Sequence, residues 1–395
     1  MLRLSSGILP FLLAATLTAC GSDAPTDPPE TRLTWTSASA GKRHTCAIRS
    51  DGAAYCWGAN QAGQLGSPGT WAAPAAVGGG LGWKAIAAGE GFTCGIAKDG
   101  KTYCWGDVEA GMYRRPDPKP VGNDPGFRVL SAGSNHVCGI SATGESYCWG
   151  SNFRGQLGVG PIGNTLLGNS QDPVRVAGSE QFGTIAAGEE HTCALSTAGD
   201  AYCWGSRGSN EREDVPRKAA QAVSVQSLVV GGTATRSHAC GAVGADVFCW
   251  GFNRSGQLGA GFVSDNSAVG YTSAAVRVQR PAGIVLSGLT AGGGPWYDGL
   301  TGHTCGVSAE GTGYCWGDNR FGQLGDGSTT SRAVPTPVPG GLRFASLQAG
   351  GNHTCGITRD GDLYCWGANF VGQLGNGTSG QWAFSASPIR VAIPS

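Results

Sequence analysis

The sequence predicts an all-β protein, a β-propeller of seven blades, on three observations. The 395 residues include 69 glycines and only 14% charged residues, a composition typical of turn-rich β-structure. A pair of cysteines with eight or nine residues between them recurs seven times along the chain. The first cysteines of successive pairs lie 44 to 65 residues apart, and a period of about fifty residues with one hairpin per unit is typical of propeller blades.

The N-terminus predicts export and attachment of lipid. Arg3 supplies a short positive region, and residues 7–18 are apolar but too few to span a bilayer. Leu17-Thr18-Ala19-Cys20 resembles the lipobox of bacterial lipoproteins, which implies cleavage before Cys20 and diacylation of its thiol. The alternative is an ordinary secretory signal that contains a cysteine by chance.

The lipobox interpretation divides the chain into three parts. We expect a signal peptide over 1–19, a lipidated Cys20 with a Pro-rich spacer over 20–30, and a propeller over 31–395. The lipid would anchor the protein to the bacterial membrane without a transmembrane helix, on the periplasmic or cell-surface side. Because residue 21 is Gly rather than Asp, we expect the outer membrane if the cell is Gram-negative.

We expect each unit to begin with a strand whose first residue is apolar. This residue stands six positions before a glycine. The seven pairs are Trp35/Gly41, Trp83/Gly89, Phe127/Gly133, Phe182/Gly188, Val225/Gly231, Leu286/Gly292 and Phe344/Gly350. The strand that carries the first cysteine follows, and apolar residues such as Ile48 and Ile96 alternate along it.

A tight turn joins this strand to the next one. In six units the midpoint between the cysteines is followed by Gly, as in Asp51-Gly52 and Asp360-Gly361, which predicts a three-residue loop made of a type I turn and a G1 bulge. In the fifth unit the cysteines are one residue closer, and Gly244-Ala245 suits a two-residue type II′ turn. Both turns keep the two cysteines opposite each other.

Opposed cysteines in an exported hairpin predict a disulfide in every unit. At a non-hydrogen-bonded site the α-carbons lie about 4.5 Å apart, within disulfide reach, and the compartment outside the cytoplasm is oxidising. Each bridge closes a short loop and contributes about 2–3 kcal/mol to stability. The predicted pairs are Cys46/Cys56, Cys94/Cys104, Cys138/Cys148, Cys193/Cys203, Cys240/Cys249, Cys305/Cys315 and Cys355/Cys365.

Histidine and tryptophan accompany these cysteines and raise two other interpretations. A His-x-Cys sequence precedes six of the seven hairpins, which would suit zinc, but tetrahedral sites rarely recur seven times, so we expect no metal and no cofactor. Phe92 replaces this histidine in the second unit, which favours packing or turn bonding over catalysis. The Cys-Trp-Gly sequence of all seven units predicts a tryptophan packed between blades rather than a platform for a ligand.

These residues together resemble the repeats of the regulator of chromosome condensation (RCC1) family. The shared pattern is A-G-x-x-H-T-C-G-I-x-x-x-G-x-x-Y-C-W-G-x-N-x-x-G-Q-L-G, and it extends from Leu33 to the C-terminus. The Gly-Gln-Leu-Gly piece is missing from units two and four. The resemblance implies a seven-bladed β-propeller, to which this chain adds the paired cysteines.

The chain ends predict how the ring closes. Leu33 to Gly41 resembles the second part of a repeat, but the strand that should precede it, here called the leading strand, is missing. Pro388 to Ile393 resembles the leading strands of other units, at Pro173 to Val176 and Pro335 to Val338, and no unit follows it. We therefore expect the N- and C-terminal strands to complete one blade together, which would remove open sheet edges.

The family resemblance does not by itself define a function. The relatives include a nucleotide-exchange factor for a nuclear GTPase and a secreted bacterial propeller that inhibits β-lactamase. This chain has zero formal net charge, which argues against a nucleic-acid partner, and it contains no serine elbow, phosphate loop or zinc-protease motif. We expect a monomeric, non-catalytic scaffold that presents the loops of one propeller face to an unknown partner protein.

Three alternatives remain open at this point. One is a secreted binder that inhibits an enzyme, and another is a GTPase exchange factor, by family analogy alone. The third is a carbohydrate-binding or lyase propeller, which would need carboxylates that converge at the central channel, with Glu90, Glu189 and Glu190 as the candidates.

One inserted loop is the candidate for partner binding. Residues 292–302 of the sixth unit (GGGPWYDGLTG) separate the usual Ala-Gly from His-Thr-Cys. Trp296, Tyr297 and Asp298 stand at its centre, and Trp and Tyr are enriched at binding hot spots. The loop could instead fold back over a blade. A second candidate is the long segment from Gly261 to Tyr271.

Overall fold

A computed structural model describes most of the chain beyond the N-terminal segment. The described residues are 32–107, 115–162, 165–166, 168–206, 212–219, 224–233, 236–264, 271–294 and 302–394. Within these ranges the chain forms thirty β-strands and no helix, and no helix capable of crossing a membrane was found in them. The predicted signal peptide, Cys20 and the spacer lie outside the described residues.

Seven four-stranded antiparallel sheets form the blades of the propeller. Blade 1 contains β1 (Trp35–Ala40), β2 (His44–Arg49), β3 (Ala54–Gly58) and β4 (Trp71–Ala76). Blade 2 contains β5 (Trp83–Ala88), β6 (Phe92–Ala97), β7 (Thr102–Gly106) and β8 (Arg115–Pro120). Blade 3 contains β9 (Phe127–Ala132), β10 (His136–Ser141), β11 (Ser146–Gly150) and β14 (Ser170–Arg175), with the small hairpin β12 (Pro161–Ile162) and β13 (Thr165–Leu166) inserted before its last strand.

The remaining four blades repeat the same order. Blade 4 contains β15 (Phe182–Ala187), β16 (His191–Ser196), β17 (Ala201–Ser206) and β18 (Arg212–Lys218). Blade 5 contains β19 (Val229–Thr233), β20 (Arg236–Val243), β21 (Asp246–Phe252) and β22 (Tyr271–Arg277). Blade 6 contains β23 (Leu286–Gly292), β24 (His303–Ser308), β25 (Gly313–Gly317) and β26 (Arg332–Pro337), and blade 7 contains β27 (Phe344–Ala349), β28 (His353–Thr358), β29 (Leu363–Ala368) and β30 (Phe384–Arg390).

The predicted turns between the second and third strands are confirmed. In blade 1 the Gly52 amide donates to Arg49 O at 2.8 Å, the Arg49 amide donates to Ala53 O at 2.8 Å, and Gly52 has φ of 91°, which is the geometry of a type I turn with a G1 bulge. The same pair of hydrogen bonds recurs in the other five units with a three-residue loop. In blade 5 Val243 pairs with Asp246 across a two-residue turn, and Gly244 has φ of 57°.

These turns bring each pair of cysteines into register, and the seven predicted disulfides are confirmed. Every bridge joins directly opposed residues of the second and third strands, with 4.1 Å between their α-carbons. Each sulfur pair therefore belongs to one hairpin and links no two blades. From blade 1 to blade 7 the bridges are Cys46–Cys56, Cys94–Cys104, Cys138–Cys148, Cys193–Cys203, Cys240–Cys249, Cys305–Cys315 and Cys355–Cys365.

The α-carbons of these pairs lie closer together than the expected separation of about 4.5 Å. The measured value of 4.1 Å is the same in all seven bridges, including Cys240–Cys249 with its shorter turn. The two kinds of turn therefore place the cysteines in the same cross-strand geometry.

The hydrophobic core is divided among the interfaces between neighbouring blades. At the interface of blades 1 and 2, Cys46, Ile48 and Leu65 of blade 1 pack with Trp83 and Trp105 of blade 2. This arrangement confirms that the Cys-Trp-Gly tryptophan packs between blades. The apolar residue predicted to open each unit begins the first strand in six blades, whereas the first strand of blade 5 begins at Val229 rather than at Val225.

The prediction that the two chain ends share one blade is wrong. The C-terminal strand β30 pairs with β29 as the outer strand of blade 7, and β1 opens blade 1 as its inner strand. The supposed leading strands at 173–176 and 335–338 likewise lie in or directly follow the outer strands β14 and β26. The outer strand of one blade immediately precedes the inner strand of the next in the sequence, so the repeat pattern alone leaves the blade boundary undetermined.

The ring is nevertheless closed by contacts between its first and last blades. The Trp35 amide donates to Gly361 O at 2.9 Å, and the Gly351 amide donates to Gly41 O at 3.1 Å. Trp57 of blade 1 packs in one buried cluster with Leu374 and other residues of blade 7. Side-chain packing and loop hydrogen bonds therefore close the ring, without a shared sheet.

Candidate functional site

One end of the propeller carries most of the loops that could bind a partner. Strands in each blade alternate in direction, so the connections from first to second strand and from third to fourth strand meet at the same end of the blade. We call this end the loop face. The tight hairpin turns and the connections between blades lie at the opposite end, which we call the turn face.

Exposed aromatic side chains are concentrated on the loop face. Among the described residues, the aromatic side chains with large exposure all lie in the connection between third and fourth strands or at the first residue of the fourth strand: Trp71, Phe153, Phe262, Trp382 and Phe384. Phe153 is 68% exposed and Trp382 is 60% exposed. Among the described residues, the strongly exposed large apolar side chain on the turn face is that of Val285, which is 43% exposed.

Trp382 belongs to a row of aromatic rings that crosses two blades. Its ring lies 6.2 Å from Phe370, which in turn lies 5.1 Å from Phe321 of blade 6, and both contacts are edge-to-face. Trp382 also has φ of 68°, a left-handed backbone conformation that is costly for a large residue and is often retained at functional sites.

The predicted partner-binding residues Trp296, Tyr297 and Asp298 lie outside the described residues. The flanks of their loop are described, because β23 ends at Gly292 and β24 begins at His303. Both of these strand ends lie at the loop face. Of the second candidate segment, Phe262 and Val263 are exposed there.

The central channel is narrow and is lined by the Ala-Gly ends of the inner strands. Its cavity of about 80 Å³ has Lys42 and Glu189 as its charged lining residues. A Cβ at Gly41 would collide with the carbonyl oxygen of Gly89 in the next blade, and one at Gly292 would collide with that of Gly350. Glycine is required here because the backbones of neighbouring blades touch.

An ion pair between Lys42 and Glu189 crosses this channel. Lys42 Nζ of blade 1 lies 2.9 Å from Glu189 Oε2 of blade 4 and donates to Gly293 O of blade 6 at 2.6 Å. Glu190 pairs with Arg154 at 3.3 Å, and burial raises the pKa of its carboxyl. Of the three carboxylates proposed for a lyase, Glu189 lines the channel while Glu90 and Glu190 do not.

The six histidines lie inside the blade interfaces, where a relay of hydrogen bonds recurs. At the interface of blades 1 and 2 the Thr93 hydroxyl donates to Gln64 O at 2.8 Å and lies 2.9 Å from His44 Nε2. Because that hydroxyl proton is used on Gln64, His44 Nε2–H is the donor to Thr93. Trp105 Nε1 donates to the same Gln64 O at 2.9 Å.

This relay occurs at five of the seven interfaces. The histidine–threonine pairs are His44–Thr93, His136–Thr192, His238–Thr304, His303–Thr354 and His353–Thr45. Burial lowers the pKa of each imidazole, to about 3 for His44 and to about 4 for His191. The histidines therefore stay neutral at ordinary pH and lie away from both faces, an arrangement suited to structure rather than to proton transfer.

The cysteines that suggested zinc are joined in disulfides and are buried with one exception. No group of three or more histidine, cysteine or carboxylate side chains that could hold a metal ion was found in the described parts of the chain. The cysteine of the third strand is at most 5% exposed in six blades, and in blade 4 the corresponding Cys203 is half-buried. The six buried third-strand cysteines are Cys56, Cys104, Cys148, Cys249, Cys315 and Cys365.

Comparison with known proteins agrees with this architecture. Two models of the regulator of chromosome condensation (RCC1) repeat match the chain, one at 35–64, 128–156, 184–211 and 344–373, the other at 51–96, 143–195, 310–357 and 360–395. Together they cover more than half of the sequence. The chain belongs to the RCC1 repeat family.

Individual relatives of this RCC1-repeat chain are distant. It is 27% identical over 201 residues to the ultraviolet-B receptor UVR8 of Arabidopsis thaliana, a match that covers 47% of this chain and 40% of UVR8. It spans less than half the length of the curated relatives it matches.

Solved structures show the same fold at low identity. Human WBSCR16 superposes with a TM-score of 0.70 at 21% identity, over 87% of this chain and 95% of that one. Prp20p of Saccharomyces cerevisiae, studied for its binding to Gsp1p and histones, gives 0.51 at 19% identity, over 91% and 77%. At such identities the likeness concerns the fold.

Sequence reasoning missed two features of this RCC1-repeat propeller. It did not find the relay from His44 through Thr93 to Gln64 O, because Thr93 belongs to the next unit and Gln64 takes part through its backbone carbonyl. It also overlooked Phe153 and Trp382. Each lies between a Cys-Trp-Gly segment and the fourth strand of its blade, and this position in the repeat was the signal that could have identified them.

Proposed function

We propose that this RCC1-repeat propeller is a monomeric, non-catalytic scaffold, tethered to the bacterial cell envelope through lipid on Cys20, that binds a partner protein with its loop face. The observation that carries the proposal is the uneven distribution of exposed aromatic side chains. Trp and other aromatic residues dominate binding energy at protein interfaces, and those of the described chain lie at one end of the ring.

The channel and the histidines support binding rather than catalysis. Glu189 is engaged by Lys42, and the imidazoles are buried and neutral. A general acid or base needs an accessible group whose pKa lies near the working pH. The described part of the loop face instead offers exposed aromatic rings, which suit binding better than proton transfer.

The tether is supported by the sequence and by the disulfides. Leu17 to Cys20 resembles a lipobox, and seven disulfides suit a protein that matures outside the cytoplasm. If Cys20 carries lipid, the variant Cys20→Ser should move from the membrane fraction to the soluble fraction of the envelope. A wild-type protein that is soluble after cell fractionation would contradict the tether.

The binding face is tested by affinity capture from the native cell envelope after cross-linking. Phe153→Ala and Trp382→Ala should each reduce recovery of a specific partner, because each removes an exposed ring from the loop face. Val285→Ala removes an exposed apolar side chain from the turn face and is the matched control. Loss of the partner with Val285→Ala alone would contradict the loop face, and turnover of a glycan by the purified protein would contradict the scaffold.

A further inference from the structure

The interface between blades 4 and 5 departs from the relay that five other interfaces share. His191 of blade 4 occupies the usual position, but the residue opposite it in blade 5 is Ala239, which has no hydroxyl. The sequence of blade 4 also lacks the Gly-Gln-Leu-Gly piece whose glutamine carbonyl accepts from the next blade elsewhere. The interface of blades 2 and 3 avoids this problem, because Phe92 and Val137 form an apolar pair there.

A cavity of about 60 Å³ occupies this position between blades 4 and 5. Its lining includes His191, the tryptophans Trp204 and Trp250, and both sulfur-bearing residues Cys193 and Cys203. A cavity of this size is large enough for water or for part of a small solute. The Cys193–Cys203 disulfide therefore borders open space.

The exposure of the cysteines separates this bridge from the other six. Cys203 is half-buried, whereas each of the other thirteen bridged cysteines is at most 5% exposed. At other interfaces a hydroxyl of the next blade covers the sulfur: Thr93 Oγ1 lies 3.7 Å from Cys46 Sγ, and Thr192 Oγ1 lies 3.6 Å from Cys138 Sγ. At Cys193 the corresponding residue is Ala239.

We propose that the Cys193–Cys203 disulfide is a thiol-exchange site, which a small thiolate or the dithiol of an oxidoreductase reaches in the folded protein. The incoming thiolate attacks Cys203 Sγ, the more exposed sulfur, and forms a mixed disulfide with it. The bond to Cys193 breaks, and the Cys193 thiolate takes a proton from water. A second thiol of the reductant then attacks the reductant sulfur of this mixed disulfide. The bond to Cys203 breaks, Cys203 is released as a thiol, and the two reductant sulfurs leave joined as a disulfide. Two electrons have then passed from the reductant to the bridge.

Access is the factor that distinguishes the seven bridges, since exchange requires in-line approach of a thiolate to a sulfur. The cavity offers that approach at blade 4, while the packed interfaces require unfolding first. The exchange site depends on the gap at Ala239 and does not depend on the loop face or on the lipid.

The test is partial reduction of the full-length oxidised protein with dithiothreitol in native buffer, followed by alkylation and peptide mass spectrometry. We expect Cys193 and Cys203 to be alkylated about tenfold faster than any other pair. The rate should rise in proportion to dithiothreitol and should not change in dilute urea, because the folded protein is the reacting species. Simultaneous reduction of all seven bridges, or earlier reduction of another pair, would overturn the proposal.

Ala239→Thr is the matched variant, because it supplies the hydroxyl that five other interfaces have. We expect it to slow alkylation of Cys193 and Cys203 by about fivefold or more, since the threonine would cover Cys193 Sγ, as Thr93 covers Cys46 Sγ, and would fill part of the cavity through which the thiolate reaches Cys203. The double variant Cys193→Ser/Cys203→Ser should lack the fast phase. A fast phase that persists in the double variant, or an Ala239→Thr rate equal to that of the wild type, would contradict the assignment.

Discussion

The interfaces of blades 6/7 and 4/5 occupy equivalent places in the ring, but 4/5 lacks both the threonine and the Gly-Gln-Leu-Gly piece that 6/7 has. At blades 6/7 the Thr354 hydroxyl donates to Gln323 O at 2.8 Å and accepts from His303 Nε2 at 2.9 Å, while Trp366 Nε1 donates to the same carbonyl at 3.0 Å. At blades 4/5, Ala239 stands in place of the threonine and a cavity remains. The difference shows that histidine, threonine and glutamine carbonyl work as one unit whose parts come from different repeats.

The interface of blades 2/3 shows a second solution to the same loss. Its blade 2 also lacks the Gly-Gln-Leu-Gly piece, but Phe92 and Val137 pack in a buried cluster with Trp149. Removing both polar partners together costs little, whereas removing one leaves the other without a partner. Blade 4 has His191 but no threonine opposite it, so it carries the incomplete version.

The largest expected effect is on the acid stability of the whole ring. Burial lowers the pKa of the imidazoles, to about 3 for four of them and to about 4 for His191 and His353. The unfolded chain binds these protons near pH 6.5, so the free energy of unfolding is at its full value above that pH. It should fall as the pH drops from about 6.5 toward 4, by up to about 1.4 kcal/mol per histidine and pH unit.

Urea unfolding of the oxidised protein at several pH values measures this slope. The double variant His303→Phe/Thr354→Val copies the apolar pair of blades 2/3 and should show a shallower slope than the wild type. A free energy of unfolding that stays constant between pH 7 and pH 5 would contradict the account of buried neutral histidines.

The next effect compares equivalent tryptophans at the two interfaces. Trp366→Ala should cost about 3–5 kcal/mol, because the ring is fully buried and hydrogen-bonded. Trp250→Ala should cost clearly less, since Trp250 already borders the cavity. Urea unfolding at pH 7.5 measures both. Equal losses would show that the two interfaces are packed alike.

The smallest effects have opposite signs at the two interfaces. Thr354→Val should destabilise the protein by about 1–3 kcal/mol, because it leaves His303 Nε2 without its acceptor. Ala239→Thr should stabilise it by about 1 kcal/mol, because it gives His191 an acceptor and fills space. The same urea series measures the two variants, and destabilisation by Ala239→Thr would mean that the cavity does not admit a hydroxyl.

Features set by local chemistry could be predicted from the sequence. The turn at Asp51-Gly52 determines the register of its hairpin, and the register places Cys46 opposite Cys56, so the disulfides followed without knowledge of the fold. The blade boundary could not be predicted. The sequences of β30 and β1 are each compatible with being one part of a single shared repeat, although the two strands belong to different blades. Whether a strand precedes or follows its partners depends on packing between repeats.

The candidate site was harder to predict for the same reason. The exposure of Phe153 and Trp382 depends on how far the fourth-strand loops project from the ring, and the cavity beside His191 depends on a residue 48 positions away, Ala239. Both properties arise between units. The prediction for Trp296, Tyr297 and Asp298 stays a prediction, to be tested by the same affinity capture with each residue changed to Ala.

Native-state hydrogen exchange, read by mass spectrometry, tests the central claim most directly. The claim is that the relay between blades holds the ring together and is incomplete at blades 4/5. The account predicts faster amide exchange in β16 and β20 than in β24 and β28. It also predicts that this difference in exchange rate is smaller in Ala239→Thr. Uniform protection of all four strands, or slower exchange in β16 and β20, would contradict it.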